Sequence, residues 1–77
     1  MGKYITDARL IALIGASKCA RKVGLTRVAV HKWTYLNWVP VKHRVAIADL
    51  AIQSGVHVDR TEWLTRERPE TRGADNA

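Results

Sequence analysis

The sequence predicts an all-α fold, a small four- to five-helix bundle that contains a helix-turn-helix. Three observations predict it. The stretch from Ala16 to Tyr35, ASKCARKVGLTRVAVHKWTY, has small, glycine and apolar residues at the places a helix-turn-helix requires. Elsewhere the apolar residues recur at helical spacing. Gly15, Gly24, Pro40 and Gly55 fall between these runs, where helices stop or start.

Each element follows in order. Thr6 before Asp7 is an N-cap, and Leu10, Ile11, Leu13 and Ile14 give one apolar face. This first helix covers roughly residues 6–14. The two motif helices follow at about 16–23 and 26–34. Ala20, at the motif's fifth place, lets the second helix cross close to the first. Gly24, at the ninth, takes the positive φ that ends one helix and begins the turn. Cys19, Val23, Leu25, Val30 and Trp33 are the inner apolar places and are expected to bury together. Thr26 is the N-cap of the second motif helix.

TYLNWV reads as a connection that closes at Pro40, a residue suited to the first turn of a helix. The run 41–54 is then helical and apolar around much of its circumference, so it is central to the domain, shared with a partner chain, or both. Asp59-Arg60-Thr61-Glu62 has capping-box spacing and introduces a short fifth helix carrying Trp63 and Leu64. The alternative there is a strand through Val56-His57-Val58. Trp38 reads as a lid on the core or as an interface residue. Trp63 reads as packing back on the bundle, with a dimer contact second. Residues 1–70 form one domain, and residues 71–77 a disordered polar tail.

A chain of 77 residues builds one modest core. A single cysteine excludes an internal disulfide framework. No apolar run approaches a membrane span, and the first residues are too short and mixed for a signal peptide. The expected location is the cytoplasm of a bacterial cell, associated with the nucleoid when bound to DNA. Net charge is +6, and its layout is more informative: between Ala8 and Ala48 stand eight basic residues and no acid. The half that carries the motif is therefore suited to a polyanion.

In the usual dock the second motif helix enters the DNA major groove and the first crosses the backbone. The candidate base-reading residues are Thr26, Arg27, Val28 and His31. Arg27 has the planar fork that matches guanine O6 and N7, with a phosphate contact as the alternative. Val28 offers apolar contact to a thymine methyl, or is a half-buried spacer. Thr26 caps the helix and can also touch the DNA. His31 lies one turn on, and a histidine contact there makes binding sensitive to pH. The candidate phosphate contacts are Ser17, Lys18, Lys32, Tyr35, Lys42 and Arg44, several of them near helix starts where free amides attract anions. His43 stands in the same segment as the last two.

Little supports catalysis. Cys19 falls at an inner place, His31, His43 and His57 share no ligand spacing with it, and no Gly-rich phosphate loop or nucleophile signature appears. The expectation is a protein that is not an enzyme, with no metal, cofactor, membrane or small-molecule ligand.

GASKCARKVGLTRVAVHKW followed by WVPVKHRVAIADLA resembles the small Cro-like regulators of phages and prophages, including the YdaS-type group. In that family a helix-turn-helix is followed by Trp, a short loop, Val-Pro and a helix. The segment TEWLTRERPE is similar to the family's Leu-Arg-Pro-acid ending, with Glu67 where the leucine stands. Ala16 occupies the first motif position, where the family often has a phosphate-reaching Gln. The loop Tyr35-Leu36-Asn37-Trp38 is bulkier than the family's. The resemblance covers about residues 6–70. It implies a lambda-repressor-like fold and a repressor that binds a pseudo-palindromic operator in double-stranded DNA as a homodimer. An activator of the phage-establishment type, and an antitoxin or adaptor acting through protein contacts, are the alternatives.

Overall fold

The computed structural model describes residues 4–68. Among them are five helices and no strand: α1 (Asp7–Ile14), α2 (Ala16–Val23), α3 (Arg27–Leu36), α4 (Val41–Gln53) and α5 (Arg60–Thr65). The tail expected from residue 71 lies outside the described residues.

Caps set the boundaries. Thr6 Oγ1 accepts from the Arg9 amide at 3.2 Å, Thr26 Oγ1 from Ala29 at 3.1 Å, and Asp59 Oδ1 from Glu62 at 3.1 Å. Each oxygen satisfies an amide that the first helical turn leaves without a backbone partner. At the other end of α2, Gly24 adopts φ 74°, and the Leu25 amide reaches back to Ala20 O at 3.0 Å. That closure turns the chain into α3 after only Gly24, Leu25 and Thr26.

The apolar stripes then meet. Leu10, Ile11 and Ile14 of α1, Cys19 and Ala20 of α2, Val30 and Trp33 of α3, and Ile47, Ala48 and Ala51 of α4 bury together. Val39 and the fully buried Trp63 complete the core. α2 packs on α3 and α4, α1 on α3, and α5 on α4. Trp38 is buried, and Trp63 packs back on the bundle.

Four local expectations are corrected. TYLNWV is not wholly a connection, because α3 continues through Tyr35 and Leu36. Asn37 ends it at φ 54°, a left-handed conformation that asparagine tolerates, and its Oδ1 accepts from the Ala8 amide at 2.9 Å. Leu25 is exposed rather than inner, because it lies in the turn itself. The buried face of α4 is narrower than its composition suggests, leaving Val41, Val45 and Ile52 exposed. Val56 to Val58 forms an irregular connection, with the Val56 amide bonded to Ala51 O at 2.9 Å in a close of α4 around Gly55.

A fifth correction concerns Arg44, expected at a phosphate. It is buried, 1% exposed, and lies at helical spacing from Ile47, Ala48 and Ala51. Its Nη1 meets Asp7 Oδ2 at 2.8 Å and Val39 O at 2.8 Å, and its Nε donates to Trp63 O at 2.9 Å. The guanidinium lies 4.3 Å from the Trp38 ring centroid and 3.8 Å from that of Trp63. Trp63 Nε1 in turn donates to Arg44 O at 2.8 Å. Asp7 also takes the Val39 amide at 2.8 Å and Arg66 Nη1 at 2.6 Å. No buried side-chain nitrogen or oxygen among the described residues lacks a partner. Two charges survive in the core because their polar atoms are satisfied there and the two indole faces cover the cation.

Glu62 forms only half of its expected capping box. Its carboxylate turns forward onto Arg66, with Nε at 2.7 Å and Nη2 at 2.6 Å. These hydrogen bonds, with the one that Arg66 donates to Asp7, outweigh burial and hold the Arg66 guanidinium above its ordinary pKa.

Candidate nucleic-acid interface

α3 is held by its inner face and by both ends. Val30 and Trp33 anchor it in the core, and the Trp33 ring stacks on His43 with centroids 5.4 Å apart and planes 28° apart. The Thr26 cap fixes the first turn, and the Asn37 contact with α1 fixes the last. What remains outward is Arg27, Val28, His31, Lys32 and Tyr35, and these five line one shallow depression of about 340 Å³. The structure thus brings together three of the four candidate base-reading residues, with Thr26 at the helix tip beside them. Val28 is 74% exposed and is no half-buried spacer. Tyr35, which shares the outward positions of the second motif helix, belongs to the outer face of α3 and meets His31 edge-on at 5.7 Å between centroids.

The remaining candidates lie on neighbouring helices. Ser17 and Lys18 are exposed in the first turn of α2, whose N-cap, Gly15, has no side chain to bond the first amides. Lys18, Arg21, Lys22 and Leu50 line a second depression. Lys42 is exposed in the first turn of α4, beside the His43 that stacks on α3. Arg44 is not part of the site, for the reason given above.

Ion pairing sorts the cations. Arg44, Arg60 and Arg66 are each paired with Asp7, Asp49 or Glu62. Among the described residues Lys18, Arg21, Lys22, Arg27, Lys32 and Lys42 form no ion pair, and all six are exposed. Most of the uncompensated charge therefore sits on α2, α3 and the start of α4, with Arg9 on α1 and Arg68 beyond α5 also outside any ion pair among the described residues. Isolated exposed cations on a face without acids raise the local potential for a polyanion.

No family model, curated protein or solved structure matches the chain. What the site can do follows from its own chemistry.

Two further facts bear on that chemistry. Cys19 is a buried free thiol whose pKa is pushed up to about 11 by desolvation, which keeps it protonated and unreactive at neutral pH. Among the described residues no group of His, Cys, Asp and Glu could hold a metal ion, and no helix is long and apolar enough to cross a membrane.

Sequence reasoning missed the role of Asp7. It read the residue only as part of an N-cap, yet Asp7 is the acid that takes Arg44 out of the basic face. A signal was present: Arg44 is in phase with Ile47, Ala48 and Ala51, so a cation lay on the buried stripe.

Proposed function

We propose that the chain is a non-enzymatic, sequence-specific binder of double-stranded DNA that acts as a transcriptional repressor. In this reading α2, the turn and α3 are a helix-turn-helix within a lambda-repressor-like bundle. The observation that carries it is the outer face of α3: an Arg at the helix tip, then a small apolar side chain, an imidazole, a Lys and a Tyr, rigidly backed and with no carboxylate among them. A helix of this width fits the major groove.

Each residue has a role in that dock. Arg27 is nearest the base edges and offers a bidentate fork to guanine, while Val28 and His31 follow along the groove floor. Lys32 and Tyr35 reach phosphates on one side. Ser17, Lys18 and the uncapped first amides of α2 meet the backbone on the other, with Lys42 flanking. Thr26 acts chiefly by fixing the tip of α3. As a homodimer, the protein sets two such helices about 34 Å apart on a pseudo-palindrome. Val41 and Val45 leave apolar surface on α4 that is available to a partner copy.

Two substitutions test the assignment. Arg27→Ala should relax the preference at one base pair per half-site, costing about 1–3 kcal/mol on the preferred duplex. Lys32→Ala should weaken every duplex alike and reduce the salt slope by about 1. An Arg27→Ala protein with unchanged base preference contradicts the assignment, provided its melting curve matches the parent's.

A further inference from the structure

We propose that the first turn of α3 selects a guanine beside a 5-methylpyrimidine, and that thymine and 5-methylcytosine are equivalent there. The proposal rests on the duplex-binding reading of α3. Among the described residues the two most exposed large hydrophobic side chains are Tyr35, at 81%, and Val28, at 74%. They are two helical turns apart on one face and line the same depression as Arg27. Exposed valine does nothing for a helix that an alanine would not do better, since its branched Cβ lowers helix propensity. The same branching holds χ1 in one rotamer, so a contact through Val28 orders almost nothing further.

The chemistry of the depression then decides the base. Thymine and 5-methylcytosine carry a methyl group at the same point of the major-groove edge and differ beside it, in O4 against the N4 amino group. Val28 has no polar atom with which to tell those two apart. No carboxylate lines the depression, so the N4 amino group also lacks the acidic acceptor that usually reads it. At Val28 itself what remains is the methyl group. Arg27 precedes Val28 on the helix and takes the neighbouring guanine, so the two side chains read adjacent bases. Methylation of a cytosine beside that guanine would then strengthen occupancy as thymine does.

The test uses the full chain and a duplex enriched by it from a random pool. The base pair whose preference relaxes with Arg27→Ala marks the guanine. The base on each side of it is in turn made thymine, uracil, cytosine or 5-methylcytosine, affinity is read by fluorescence anisotropy, and the side that Val28 meets is the one that responds. The methyl-bearing member of each pair should bind about three- to fivefold more tightly, the change expected from withdrawing one methyl group from water. Val28→Ala should erase both differences while the melting midpoint stays at or slightly above the parent's, as alanine's higher helix propensity dictates. Equal affinities within each pair, or a Val28→Ala protein that keeps both preferences, overturn the proposal while duplex binding stands. A protein that enriches no duplex overturns the proposal together with the reading beneath it.

Discussion

At the scale of single residues, the fold depends most on one acid. Asp7 accepts from the Val39 amide, Arg44 and Arg66 at once, and joins the start of α1 to α4 and to the residue that follows α5. Removing one partner of a buried pair costs about 3–5 kcal/mol because the other charge is left unpaired. That is a large part of the stability of a domain this size. Asp7→Ala should therefore lower the urea midpoint severely, and replacing Arg44 by Met in that background should recover much of the loss. An Asp7→Ala melt close to the parent's would show that the network contributes little. Cys19 gives a second prediction with a defined sign. Its thiol is raised from the ordinary 9.0 to about 11 in the folded chain. Its contribution is fully present below pH 9 and is lost as pH rises toward 11, where the unfolded thiol ionises first. Stability measured across that window should fall less steeply in Cys19→Ala than in the parent, and equal slopes would contradict the burial argument.

At the scale of elements, the turn between α2 and α3 is the most testable unit. Gly24→Ala puts a Cβ into open space but at φ 74°, so strain alone should cost about 1–2 kcal/mol. Thr26→Ala removes the cap of α3 and should cost about 1 kcal/mol. Thermal melts of the two variants check both, and a stable Gly24→Ala would mean that the turn relaxes to another conformation. These elements were legible because caps and glycines act within a few residues: Thr6, Gly15, Thr26, Pro40, Gly55 and Asp59 all stand at the ends they signalled. The end of α3 was not, since asparagine rather than glycine takes the left-handed position, and its side chain finds Ala8 29 residues away. The Arg44 pairing was hidden for the same reason, with Asp7 37 residues upstream. Local pattern places a residue on a helix face, while a partner half a chain away decides whether that face is buried.

At the scale of the whole molecule, charge is partitioned. The acids neutralise Arg44, Arg60 and Arg66, and the cations of α2, α3 and the start of α4 are left unpaired. A protein that binds DNA through such a face releases counterions on binding, so affinity must fall steeply with salt. In the proposed function the outer face of α3 adds what charge alone cannot, a rigid set of unlike side chains to tell one base from another. The measurement that tests this most directly is footprinting of the purified protein on the duplex it enriches from a random pool, at two salt concentrations. The account predicts a two-fold symmetric protected site that persists at the higher salt and needs more protein to fill with Arg27→Ala. Uniform coating that disappears with salt, with no sequence preferred, would contradict it.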